Sequence, residues 1–263
     1  MSNISAESLQ FGTTGPIGRV IINRPEALNA LNQDVLQSLA LTLEKIEKDL
    51  SIRVVTITGA AEKAFAAGAD VRSMYDLGPR PIADYLELGQ RVMRRIETLR
   101  VPVIAMVNGY ALGGGLELAL ACDMIIASKN ALLGQPEVNL GIIPGFGGTQ
   151  RLIQRCGVGT ARRLCYSGEL VGADEGYQIG LVDKVFEADQ LAHQVTLFAE
   201  TIANKAPLAV EKAKKVIRLS QESSLLAGLR QEVEGFLDLF DTRDREEGMG
   251  AFLEKRNPEF KRK

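Results

Sequence analysis

Residues 101–127 form the most apolar stretch of the chain, yet Asn108, four glycines, Glu117 and Asp123 interrupt it. A membrane span needs about 20 consecutive apolar residues, so these interruptions predict strand, turn, helix and strand instead. Pro102 starts a strand over 103–107, a loop follows over 109–115, then a short helix over 116–121 and a strand over 124–127. The same alternation runs upstream. Residues 8–11 and 18–23 read as strands around the turn-rich Gly12-Thr-Thr-Gly-Pro16. Asn32 can cap a helix over 33–50, whose Leu36, Leu39, Leu43, Ile46 and Leu50 recur at three- and four-residue steps. Residues 54–58 read as a strand ending at Gly59, and 82–99 as a helix with Tyr85, Leu88, Val92, Ile96 and Leu99 on one side. Strands alternating with helices predict an α/β core of repeated strand-strand-helix units.

Beyond Val195 the pattern changes. Residues 199–204, 208–219, 224–240 and 244–255 read as helices, punctuated by Pro207 and the capping residues Ser223 and Thr242. The expected division is therefore an α/β core over 1–195 and a helical region over 196–263. A chain of 263 residues, 46% hydrophobic and 24% charged, can bury a core of that size.

Several chemistries lack their residues. The single histidine, His193, lies in a predicted helix among Leu191, Val195 and Leu197, where a structural or surface role is expected. A His-rich metal site and the H-E-x-x-H motif are therefore not available, and no metal is expected. There is no G-x-S-x-G elbow and no phosphate-binding G-x-x-x-x-G-K loop, and Gly145-Phe-Gly-Gly148 lacks the glycine that a dinucleotide fingerprint needs. The net charge of −2 gives no general pull toward nucleic acid or anionic membrane. Cys122, Cys156 and Cys165 have no paired or metal-ligand spacing, which fits reduced thiols. Residues 1–11 lack a basic region followed by an apolar run, so no signal peptide is expected. The expectation is a soluble, cytoplasmic protein whose chemistry rests on carboxylates and backbone amides.

Three segments could supply that chemistry. They are Lys63-Ala-Phe-Ala-Ala-Gly-Ala-Asp70, Asn108-Gly-Tyr-Ala-Leu-Gly-Gly-Gly-Leu-Glu117, and Gly134-Gln-Pro-Glu137 leading to Gly141-Ile-Ile-Pro-Gly-Phe-Gly-Gly-Thr-Gln-Arg151. Small residues after a strand let backbone N–H groups approach a ligand, and a helix starting near Gly114 adds free amides that favour an anion. Two such loops face to face would make an oxyanion hole for a thioester whose oxygen gains charge as an enolate forms. Glu117, in the first helical turn, and Glu137, after Pro136 at another helix start, could share the pocket with different pKa values. Each glutamate taken singly has an equally good structural explanation, because an acid in a first turn complements the helix dipole. The combination, in a chain short of other options, favours chemistry.

These motifs, with Asn23-Arg-Pro25, Leu28-Asn-Ala-Leu31, Gly180-Leu-Val-Asp183, Glu247-Gly-Met249 and Ala251-Phe-Leu-Glu-Lys-Arg256, resemble the enoyl-CoA hydratase/isomerase, or crotonase, superfamily. The resemblance is closest to its short-chain enoyl-CoA hydratases and runs from about Ile17 to Phe260. It implies a crotonase-like spiral of strand-strand-helix units with a helical C-terminal trimerisation region, as a homotrimer or a homohexamer built from two trimers. It implies an acyl-CoA thioester substrate, no cofactor beyond the coenzyme A carried by that substrate, and hydration of a trans-2-enoyl-CoA to the (3S)-3-hydroxyacyl-CoA. The amides of Ala69 and Gly114 would form the oxyanion hole, Glu117 would orient and deprotonate water, and Glu137 would give a proton to the α carbon. Ala67, Asp70, Val71 and Arg72 match positions lining the coenzyme A groove. Phe252 and Lys255 match a pair that reaches the adenosine end from a neighbouring subunit. Arg72 departs from the lysine often found there, which keeps the charge but changes the geometry.

Two alternatives stand beside this. One keeps the scaffold but changes the reaction to isomerisation, decarboxylation or thioester hydrolysis, since a fold does not fix chemistry. The other is a non-catalytic RNA-binding member, supported only by Lys212-Ala-Lys-Lys215, read as the solvated face of a helix, and by Lys261-Arg-Lys263, read as a flexible tail.

Overall fold

The structure, a computed structural model, describes residues 4–6 and 8–263. The expectation of no signal peptide in residues 1–11 therefore falls partly outside the described residues. In chain order the elements are β1 (Ile4–Ala6), β2 (Leu9–Thr14), β3 (Ile17–Ile22), α1 (Gln33–Lys48), β4 (Val54–Gly59), β5 (Ala64–Ala67), α2 (Val71–Met74) and α3 (Pro79–Thr98). Then come β6 (Val103–Val107), β7 (Tyr110–Leu112), α4 (Gly114–Ala121), β8 (Met124–Ser128), β9 (Leu132–Gly134) and a 3-10 turn, Pro136–Leu140. The remainder is α5 (Gly148–Ser167), β10 (Leu170–Gly172), α6 (Ala173–Gln178), β11 (Lys184–Phe186), α7 (Leu191–Ala203), α8 (Pro207–Leu219), α9 (Leu225–Phe240) and α10 (Arg243–Glu254).

Two sheets result. The larger has the order β1-β2-β3-β4-β6-β8-β11, and the smaller β10-β9-β7-β5. Pairing is parallel from β3 onward in the first and from β9 to β5 in the second. Three successive turns, starting with β4-β5, β6-β7 and β8-β9, each contribute one strand to each sheet and then helix, which is the predicted unit. The parallel strands β4 and β6 are buried at every position, as expected where both faces of a sheet are covered. One face packs on a large core that includes Leu36, Leu39 and Leu43 of α1 and Val92, Met93 and Ile96 of α3. The opposite face, through Ile17, Val54, Ile104, Met106 and Ile126, packs on Leu191, Val195, Ala199 and Ala203 of α7. No helix among the described residues is long and apolar enough to cross a membrane.

The details correct several expectations. The Asn32 side chain does accept the Val35 N–H, at 2.9 Å, but α1 stops at Lys48. There Asp49 takes the Ser51 N–H and hydroxyl at 3.0 and 2.6 Å, and Leu50 is left exposed rather than on the buried face. The turn between β2 and β3 is only Gly15-Pro16, because Thr14 pairs with Ile17. Pro79 opens α3 three residues earlier than expected, since its fixed φ suits a first helical turn. The expected loop at 109–115 contains β7, held between β5 and β9. Ser224, not Ser223, caps α9, while Thr242 caps α10 as expected. The first C-terminal helix, α7, begins at Leu191, so the division expected at residue 195 falls inside it.

The two basic clusters differ most from their reading. Lys214 is buried, not solvated. Its Nζ donates to Ile96 O, Val101 O and Asp123 Oδ2 at 3.2, 2.9 and 2.7 Å, fastening α8 to the core. A buried ammonium is tolerated because the carboxylate and two carbonyls replace its water. The terminal Lys261-Arg-Lys263 is pinned rather than free. Asp244, itself buried, accepts the Lys261 and Arg262 N–H groups at 2.7 and 2.9 Å, and Arg53 donates to Phe260 O at 3.1 Å.

Candidate active site

All eight residues of α4 are buried, and its first turn carries Glu117. The helix lies so close to β5 that a methyl group at Gly115 would stand 1.8 Å from Ala66 O, so only glycine fits there. This contact brings the start of α4 against the loop after β5. A methyl group built on Gly114 would lie 3.1 Å from the Ala69 backbone nitrogen. Neither the Ala69 nor the Gly114 N–H is donated to a backbone carbonyl among the described residues, and both residues border one cavity.

That cavity, of about 130 Å³, is also lined by Ala67, Val71, Glu117 and Glu137, and its apolar wall includes Met74, Leu86, Ile142, Ile143 and Phe146. The two glutamates arrive from different elements, α4 and the 3-10 turn after β9. Glu117 is 1% exposed. A buried carboxylate needs hydrogen bonds to replace hydration, and Oε1 accepts the Phe146 and Gly148 N–H groups at 2.7 and 2.6 Å. Burial pushes its pKa up, while these N–H groups and the Arg151 guanidinium pull the other way. Glu137 is less enclosed. Burial raises it to about 7, its own backbone N–H opposes the shift, and the charge of Glu117 adds to it. The side-chain amide of the fully buried Gln135 lies 2.8 and 3.0 Å from Glu137 Oε1 and Oε2.

The sequence-derived candidates thus divide. Ala67, Ala69, Val71, Gly114, Glu117 and Glu137 converge on the cavity. The Asp70 side chain caps α2 through the Ser73 N–H at 3.2 Å and pairs with Arg24 at 2.9 Å. Arg72 is exposed on α2. Phe252, 82% exposed, lies on α10, and Lys255 is the left-handed residue that ends it; neither lines the cavity. Sequence reasoning missed Gln135 and the two amides of the 145–148 turn. Both stood inside quoted motifs, but nothing in a linear pattern says which side chain an amide will face. Tyr85 was expected on a buried helix face. It is there, its hydroxyl donating to Leu31 O and its ring meeting Phe146 edge-on at 5.4 Å.

An arrangement of this kind can stabilise an oxyanion beside Ala69 and Gly114 and move protons through two carboxyl groups with different surroundings. The family model described as enoyl-CoA hydratase/isomerase matches residues 12–263. A short-chain-enoyl-CoA hydratase of Clostridium acetobutylicum is 45% identical over 245 residues, which is 93% of this chain and 94% of that protein. A crotonyl-CoA hydratase of Syntrophomonas wolfei is 44% identical over 239 residues, 91% of this chain and 92% of its own length. The crystal structure of an enoyl-CoA hydratase from Bacillus anthracis superimposes with a TM-score of 0.95 at 39% identity, covering 97% of this chain and all of that one.

Proposed function

The chain belongs to the enoyl-CoA hydratase/isomerase family, and from that premise we propose that it adds water to a short-chain trans-2-enoyl-CoA, giving the (3S)-3-hydroxyacyl-CoA. The observation that carries this is one cavity bordered by two carboxyl groups and by the backbone of Ala69 and Gly114. In the proposed reaction the thioester oxygen accepts the Ala69 and Gly114 N–H groups. Glu117 takes a proton from water as its oxygen bonds to the β carbon. The alkene electrons move to the thioester oxygen, and the enolate collapses as Glu137 gives its proton to the α carbon. The sum is one water added, and the two carboxyl groups must exchange a proton before the next turnover. Donors aimed at the oxygen act most strongly once it is charged, which lowers the barrier rather than only tightening binding. Glu137, raised to about 7, can hold the proton it must give near neutral pH.

The purified protein is expected to remove the conjugated-enoyl absorbance of crotonyl-CoA without added metal or nucleotide. Conversion of a 3-enoyl thioester with no change in crotonyl-CoA would replace hydration by isomerisation. The coenzyme A contacts of Asp70, Arg72, Phe252 and Lys255 belong to the same proposal, with the last two acting across a subunit boundary.

Self-association is part of the reading. On α9, Leu225, Leu226, Val233, Phe236 and Leu237 are each at least 60% exposed. An apolar row of this kind on a helix favours a partner. The expected particle contains three or six copies of the 28.5 kDa chain, and light scattering coupled to size exclusion would detect it. A monomer at micromolar concentration would remove this part of the proposal.

A further inference from the structure

The Glu117 carboxylate is held by a turn, and the turn is held by an arginine. Residues 145–148 supply the Phe146 and Gly148 N–H groups to Glu117 Oε1. Arg151, in the first turn of α5, reaches back so that Nη1 donates to Phe146 O at 2.6 Å. Its Nε donates to Glu97 Oε1 of α3, also at 2.6 Å. Both side chains are largely shielded, at 14% and 16% exposure, which places the pair beyond the weak class of surface ion pairs. Arg94 meets the second Glu97 oxygen at 3.4 Å and pairs with Glu222, beyond α8, at 2.5 Å. Gly147 has φ of +106°, and a methyl group there would stand 2.3 Å from Arg151 Nη1. Turn and guanidinium are therefore built around one another.

We propose that Arg151, held in place by Glu97, is a positioning residue for Glu117, fixing the direction of its carboxylate and favouring the anionic form. The guanidinium touches neither the carboxylate nor the bordering cavity. It acts through Phe146, whose carbonyl it binds while the N–H of the same residue, in the preceding peptide unit, donates to Glu117, and through its charge. The titratable groups whose charges couple to Glu117 are Arg151 from α5, Glu137 from the 3-10 turn, Tyr85 from α3 and Cys165 from the end of α5. Arg151 is the cation among them. Its loss would slacken the N–H donors and remove the positive charge together, so Glu117 would keep its proton to higher pH.

The kinetic readout rests on the hydratase reading. Arg151→Gln is expected to lower kcat for crotonyl-CoA about 10–100-fold, to change KM less than about threefold, and to move the acid limb of the pH profile up by about one unit. Glu97→Gln should move the limb the same way by a smaller amount. Arg151→Lys keeps the charge, so the limb should stay near its original place. Its kcat should recover only in part, because an ammonium cannot fork between Phe146 O and Glu97. An acid limb unmoved in a folded Arg151→Gln protein overturns the proposal. If circular dichroism shows that variant unfolded, the limb of Glu97→Gln decides by the same criterion, and a limb displaced in Arg151→Lys overturns the proposal as well. Carbon-13 titration of Glu117, assigned by its loss in Glu117→Gln, separates the two readings. A natural sequence inactive on crotonyl-CoA ends the hydratase reading, whereas a Glu117 midpoint unmoved in Arg151→Gln ends the positioning role.

Discussion

Replacing Glu117 with glutamine is expected to lower kcat for hydration by about 10²–10⁴-fold, with KM nearly unchanged. The substitution is isosteric, so the side-chain oxygen can still accept the Phe146 and Gly148 N–H groups that now meet Oε1. What disappears is the capacity to take a proton from water. The folded protein should not suffer. Glu117 is almost wholly buried and burial raises its pKa, so its charge opposes folding above the ordinary carboxylate range. Thermal melts at pH 8 should therefore place the variant at or above the parent, while stopped-time assays register the loss. Turnover within a few-fold of the parent would remove Glu117 from the mechanism.

Glu137→Gln should cost a comparable factor by a different route, since the enolate would lack its proton donor. Here pH adds a second signature. A donor with a pKa near 7 is depleted as pH rises, so kcat/KM of the parent should fall about tenfold per unit above neutrality. The sign for stability follows from the same shift. The folded-state pKa is raised, so the associated stability is fully present below about pH 4.5 and is lost as pH climbs toward 7. Solvent reaches part of this carboxyl, which reduces the effect to about 1–2 kcal/mol. The glutamine variant, with nothing to titrate, should lose less stability than the parent between pH 5 and 8. Equal losses in paired denaturant titrations would contradict the assignment.

Much of this site was legible in the residues, for identifiable reasons. Helix periodicity is local, so α1 and its Asn32 cap could be read directly. Glu117 and Glu137 could be paired because each sat in a distinctive glycine- or proline-marked segment. Strand β7 could not, since three residues between glycines become a strand only through β5 and β9. Lys214 gave no sign of burial, because its partners lie 91 or more positions away in sequence. The amide of Gln135 and the grip of Arg151 on Phe146 O depend on where two turns meet. No spacing rule encodes that meeting.

Strand order in both sheets follows the chain without a single insertion between earlier strands. A ribosome could therefore lay the spiral down edge by edge, each new strand finding its neighbour already formed. The helix that roofs the far face, α7, comes only after the last of those strands. Until it emerges, Val54, Ile104 and Ile126 have nothing above them. Nascent chains halted before residue 191 would present a broad greasy plane, the kind of surface on which chaperones and aggregates compete.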